Sequence, residues 1–192
     1  MFSSESWLIS YCEMQKDSVA NSYVHLHLIV FIWGFTAVLG ALISLEALPL
    51  VWYRMSFASV FIALYILSKK ISLQLPIRTI LSFVFAGLII SLHWLTFFKA
   101  IKESNISVTL ACLSTGAFFT SLLEPLFYKR KIIAYEVLFG LIVIAGLYLI
   151  FQVQGNYVYG IVLALSSAFL SALFSVINGK FAMQYNPTVI SF

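Results

Sequence analysis

From His25 onward, apolar runs of about 20 residues, the length that crosses a bilayer, follow one another with only short polar breaks. A water-soluble chain of this size could not cover that much apolar surface. Hydrophobic residues make up 62% and charged residues 9% of the sequence, against about 45–50% and about 25% in soluble domains. A β-barrel would show segments of about 10 residues with alternating polarity, and these runs do not alternate. The expected fold class is all-α: a polytopic membrane helical bundle whose surroundings are the lipid bilayer.

The polar leader over 1–24 is read as a cytoplasmic tail, with the first helix beginning near His25 and Met14 as an alternative start. Six spans follow, over 26–45, 50–68, 79–98, 106–128, 132–151 and 157–177, and a seventh begins after Pro187. Short breaks fall at Lys69–Arg78, Lys102–Asn105, Lys129–Lys131, Gln154–Asn156 and Asn178–Lys180. Basic residues set the orientation, because Lys and Arg are retained on the cytoplasmic side. One side collects Lys16, Lys69, Lys70, Arg78, Lys129, Arg130, Lys131 and Lys180, and the other only Lys99 and Lys102. Eight against two places the N-terminus in the cytoplasm, and the expected location of the chain is the cell membrane.

The net charge of +4 does not indicate a nucleic-acid partner, since the basic residues are scattered between apolar segments rather than gathered on one face. Cys12 and Cys112 carry no metal-ligand or disulfide spacing. No metal site, cofactor or catalytic residue is expected. An intramembrane enzyme would need a clustered set such as His-Glu-x-x-His or Gly-x-Ser-x-Gly, and neither string occurs.

A weak internal repeat organises the spans. Sliding the sequence by 138 positions sets Ser171, Ala172, Ser175, Val176 and Pro187 on Trp33, Gly34, Ala37, Val38 and Pro49. In both copies a proline opens the following helix, where its missing N–H is no loss. Five spans separate the two starts, so the copies run in opposite directions through the bilayer. Inverted repeats of this kind are a recurrent plan of secondary transporters. The first repeat is placed over 25–152 and an incomplete second one over 157–192.

Ionisable residues inside a bilayer are functional candidates by default, because each costs about 3 kcal/mol on insertion scales. Arg54 lies in span two and has two readings: it snorkels to the outer interface, or it lines a pathway and attracts an anionic or zwitterionic substrate. Glu124 shares a helical stripe with Ser114, Ala117 and Ser121. It either pairs with Lys129 or Arg130 at the membrane surface or serves as a coupling carboxylate. His93, beside Trp94, is a bundle-facing hydrogen-bond partner or a proton relay. His25 and His27 mark the membrane edge. In span one, Trp33, Thr36, Gly40 and Ser44 share a face that reads as a pathway wall or as close helix packing. Gly160, Ala164, Ala168 and Ala172 recur every fourth position, with Ser167, Ser171 and Ser175 alongside; this spacing lets membrane helices approach closely, so they are read as a packing stripe first and a lining second.

The sequence resembles the EamA family of the drug/metabolite transporter superfamily from about Leu28 to the last residue. The resemblance rests on Trp33-Gly34, on Pro49 and Arg54 opening span two, and on Phe98-Lys99-Ala100-Ile101-Lys102 after span three. Phe119-Thr120-Ser121-Leu122-Leu123, the basic end of span four, Gly140 to Gly146 and the segment from Gly160 also match. Three features depart from the family pattern. Ser114-Thr115-Gly116-Ala117 stands where span four often carries a proline, Lys129-Arg130-Lys131 replaces a glutamate, and Ser171-Ala172 replaces a Trp-bearing pair. The resemblance implies ten spans in two inverted halves and alternating-access transport of a small metabolite, as an exporter. It therefore implies a second copy, or a separately encoded second half, to complete the bundle. The other reading is a membrane fragment that does not transport.

Overall fold

The computed structural model describes residues 4–153 and 157–192. The turn expected at Gln154–Asn156 lies outside the described residues, as does the side chain of Cys12. Every element is helical: α1 (Ser4–Leu42), α2 (Ala47–Lys69), α3 (Ile77–Glu103), α4 (Ile106–Leu113), α5 (Gly116–Tyr128), α6 (Ala134–Val153), α7 (Val158–Ala182) and α8 (Pro187–Ser191). Five segments are long and apolar enough to cross a membrane: Asn21–Leu42, Ala47–Lys69, Ile77–Glu103, Ile106–Tyr128 and Val158–Ala182. Ala134–Leu149 is a shorter apolar helix.

Two compact units divide the chain, Met1–Leu39 and Gly40–Phe192. The first consists of helix α1 up to Leu39. That helix starts at Ser4 rather than near His25, because no Gly or Pro interrupts the sequence before Gly34 and nothing else stops helical propagation. His25 and His27 turn their Nδ1 atoms back onto the carbonyls of Asn21 and Tyr23, at 2.6 and 2.7 Å, one helical turn away.

The second unit is built around α7, which packs on α3 at one side and on α4 and α5 at the other. Helix α2 lies against α3, and α6 against α5. Helix α7 holds the centre because one of its faces is nearly free of side-chain bulk: Gly160, Ala164, Ser167, Ala168 and Ala172 are all buried. At Gly160 an added Cβ would sit 2.6 Å from the Ser104 Cβ. Ala100 of α3, Val108 and Cys112 of α4 and Ala164 form one fully enclosed cluster. Apolar residues such as Trp52, Phe57, Leu64, Leu81, Phe85 and Tyr148 face outward. The buried set includes His93, Thr109, Thr115, Ser121 and Ser167. Small and polar groups inside with apolar groups outside is the pattern of a bundle solvated by lipid.

Three further expectations are corrected. Span four is not one helix: it breaks at Ser114 and Thr115, whose hydroxyls donate to the carbonyls of Ala111 and Cys112 at 2.6 Å each. Such back-bonding competes with the helical ladder, and Gly116 carries the chain past the Ala168 backbone. The break takes Ser114 out of register, so Ser114 and Ala117 are exposed while Ser121 is buried. Span six continues to Ala182 instead of closing at 178–180. Gly179 stays helical and makes room for the Tyr128 hydroxyl, which an added Cβ would approach to 2.6 Å. Ser44 lies beyond the end of α1, exposed in the link to α2, and is not part of a helical face.

Helices α2 and α5 both end on a lysine in the left-handed region, Lys70 at φ 50° and Lys129 at φ 52°. The Lys70 N–H closes α2 onto the carbonyls of Ile66 and Leu67. Cations at helix C-termini complement the helix dipole, so the basic breaks also finish two of the helices.

Candidate substrate pathway

Three polar side chains, on α3, in the α4–α5 break and on α7, lie at similar distances from a helix end. Counted at about 1.5 Å per residue, His93 is about 15 Å from the end of α3, Thr115 about 14 Å from the start of α4 and Ser167 about 14 Å from the start of α7. Half of a hydrocarbon core is about 15 Å thick. His93 and Ser167 lock α3 to α7. The His93 Nδ1 lies 2.9 Å from the Ser167 carbonyl oxygen and 2.9 Å from its Oγ, while that hydroxyl is 3.2 Å from the His93 carbonyl. A carbonyl can only accept, so Nδ1 carries a proton, and the Ser167 hydroxyl donates to the His93 carbonyl. His93 also stacks on Phe97 at 6.0 Å. Of the two readings of His93, the hydrogen-bond partner is the one this geometry displays.

Toward the start of α2, the Arg54 guanidinium carbon lies 3.7 Å above the Trp94 ring and 5.8 Å from the Phe98 ring. The two rings are themselves stacked at 5.8 Å. Phe98 presses on Gly40, where a side chain would come within 2.6 Å of its Cδ1. Among the described residues no carboxylate pairs with Arg54; the salt bridges are both made by Arg130. The aromatic face supplies electrostatic compensation and leaves the guanidinium N–H groups for another acceptor.

Below this layer, between α2 and α3 and reaching the link at Leu73 and the start of α8, lies a cavity of about 670 Å³. Met55, Ala58, Ser59, Phe83, Ser91 and Phe174 are among its walls.

Glu124 is paired. Arg130 bridges it to Glu136, with Nη2 at 2.5 Å from the Glu124 Oε2 and 3.1 Å from the Glu136 Oε2. The bond from Glu136, and then that from Glu124, hold the Arg130 pKa above its ordinary value. This fork ties the end of α5 to the start of α6 at the basic edge. Nearby, Tyr128 donates to the Val176 carbonyl at 3.1 Å, and the Lys180 ammonium lies 5.5 Å from the Phe127 and Tyr128 rings. At the other edge, Lys102 donates to the Ile43 carbonyl at 2.5 Å, and Lys99 sits 5.4 Å from the Tyr159 ring.

Of the residues singled out from sequence, Arg54 and His93 are brought to neighbouring levels through Trp94, the residue after His93. Ser121 is buried and donates to its own helix at Phe118. Trp33 and Thr36 belong to the first unit, Trp33 exposed and Thr36 half-buried. Gly160, Ala164, Ala168 and Ala172 are buried in the packing face of α7. Sequence reasoning did not assign individual roles to Trp94, Phe98 and Thr115, and it placed Ser167 only alongside the packing stripe. The signal for Ser167 was its place beside the small-residue stripe, and for Trp94 and Phe98 their spacing of four on the face that meets Arg54. Among the described residues no group of three His, Cys, Asp or Glu could hold a metal ion.

Apolar helices of bilayer length, a lipid-facing exterior and polar groups enclosed at mid-depth define an integral membrane protein in contact with the lipid bilayer. The EamA-like transporter family model matches residues 22–152, and the chain belongs to that family of drug/metabolite transporters. No curated protein and no solved structure matched the chain.

Proposed function

We propose that the chain carries a small anionic or zwitterionic metabolite across the cell membrane as a secondary, alternating-access exporter, with its N-terminus in the cytoplasm. One observation carries this reading: Arg54 is held in a membrane-crossing helix against Trp94, with no acidic partner among the described residues. An ionised side chain about 10 Å inside a span is costly to keep there, and a substrate that needs a cation accounts for its presence. The helix break at Ser114 and Thr115 supports the same reading, since discontinuous helices at mid-depth are where transporter sites are built. The excess of Lys and Arg at 69–78, 129–131 and 180 supports the orientation. The proposed partners are the transported metabolite and a second copy or second half of the bundle.

The test is to profile metabolites in the medium of cells expressing the chain, Arg54→Ala and Arg54→Lys. Expected is accumulation of an anionic or zwitterionic compound that Arg54→Ala abolishes at unchanged membrane abundance and Arg54→Lys partly restores. A matching fall in abundance would assign Arg54 an anchoring role instead.

A further inference from the structure

The walls of the α2–α3 cavity carry no Asp, Glu, Lys, Arg or His among the described residues. Its hydroxyls are largely committed: Ser91 donates to the Gly87 carbonyl at 2.7 Å and Ser191 to the Pro187 carbonyl at 2.9 Å. The space is therefore mainly apolar and uncharged over about 16 Å from Ile80 to Ser91 by helical rise. At about 670 Å³ it falls within the range of small-molecule sites, about 300–1,000 Å³.

Helical register sets what lies above it. Residues four apart share a face, so Arg54 sits one turn outward from Ala58, a wall of the cavity. On α3, Trp94 sits one turn outward from Ile90 and Ser91, also walls. The Arg54–Trp94 contact at 3.7 Å therefore lies one turn beyond these walls without lining the cavity, and it holds a cation with no acidic partner among the described residues within about one helical turn of the cavity's end. Water in such a cavity is poorly held for want of polar partners, whereas an apolar body is favoured. A cation just beyond the cavity and the absence of charge in its walls select one chemistry.

We propose that the cavity binds an amphipathic anion: a carboxylate or similar acid placed at Arg54, with an apolar body extending between α2 and α3 toward Leu73. The proposal rests on Arg54 lining the pathway and adds the class of substrate. The occupant is a free amphiphile rather than a membrane phospholipid, because Ile80, Phe83 and Phe174 wall a chamber of limited length and volume.

Gly87 supplies a clean test, since it lines the cavity and an added Cβ there meets nothing within 4 Å. Replacing it by Phe fills the space without disturbing the backbone. The full chain in phosphatidylcholine nanodiscs is titrated with a dansylated medium-chain fatty acid and with its methyl ester. Saturable binding of the acid is expected, with the ester about ten-fold weaker for loss of one charge-assisted contact. Gly87→Phe and Ala58→Leu should each weaken the acid about ten-fold or more, and Arg54→Gln should bring acid and ester to equal affinity. Acid and ester binding alike to the unaltered chain, or undiminished acid binding in both cavity-filling variants, would overturn the proposal. So would displacement of the probe by phosphatidylglycerol built into the nanodisc, which would make the cavity a lipid site. If Arg54→Gln stops metabolite export while both cavity-filling variants export and bind normally, Arg54 keeps its place in the pathway and only the cavity assignment fails. Normal export by Arg54→Gln would refute the pathway reading itself.

Discussion

Ser167 meets His93 in three contacts: its carbonyl and hydroxyl oxygens both lie 2.9 Å from Nδ1, and the hydroxyl is 3.2 Å from the His93 carbonyl. The pair spans 74 residues of sequence and fixes where α3 crosses α7. Ser167→Ala removes the hydroxyl and leaves the carbonyl bond, so it should cost about 0.6 kcal/mol, the average for hydrogen bonds between membrane helices. Ser167→Leu adds bulk to a fully buried site and should cost about 1–3 kcal/mol more. Thermal unfolding in detergent checks both. Equal midpoints for the two variants would show that α7 is not closely packed at this level.

Two glycines of α6 should respond in opposite ways. A Cβ at Gly140 would fall 2.5 Å from the Phe118 ring, whereas one at Gly146 meets nothing within 4 Å. Gly140→Val should destabilise by about 1–3 kcal/mol, and Gly146→Ala should be neutral or stabilising by up to about 1 kcal/mol. The same unfolding assay reads both. A harmless Gly140→Val would mean that α5 and α6 do not touch there.

Lys70 and Lys129 hold positive φ without being glycine. Replacing either by Gly relieves a conformation that costs a side-chain-bearing residue about 1–2 kcal/mol while removing a charge from the basic edge. Each variant is expected to gain stability in the unfolding assay. Loss of stability in both would place the lysine charge above the backbone in closing these helices.

The Arg130 fork bears on pH. Its partners raise its pKa, Glu136 first and then Glu124. A cation with a raised folded-state pKa contributes fully below its unfolded value and loses that contribution only as pH rises through the folded one. For an arginine the loss falls far above the pH range of such an assay. Arg130→Gln should therefore lower the unfolding midpoint by a similar amount at pH 6 and at pH 9. A difference between variant and unaltered chain that fades between those values would point to another group titrating in the fork.

The membrane class, the number of apolar segments and their approximate limits were legible because the bilayer demands long apolar runs whatever surrounds them. The start of α1 was not, since a polar leader without Gly or Pro looks the same as helix or tail until backbone geometry is seen. The break in span four escaped because Ser114 and Thr115 are ordinary residues until their hydroxyls turn back onto Ala111 and Cys112. At the candidate site, Arg54 stood out by charge alone. Its partner did not: Trp94 is one of many aromatics, and only the packing of α2 on α3 brings its ring under the guanidinium. Ser167 looked like part of a packing stripe and also holds the one buried histidine among the described residues.

The central claim is that these helices thread the bilayer in alternation, with the basic breaks on the cytoplasmic side. Reporters placed after Lys131 and after Asn156 measure it directly in intact cells. The account predicts a cytoplasmic signal from the first, shared with an N-terminal tag, and an external signal from the second. Signals from the same side of the membrane for both would contradict it.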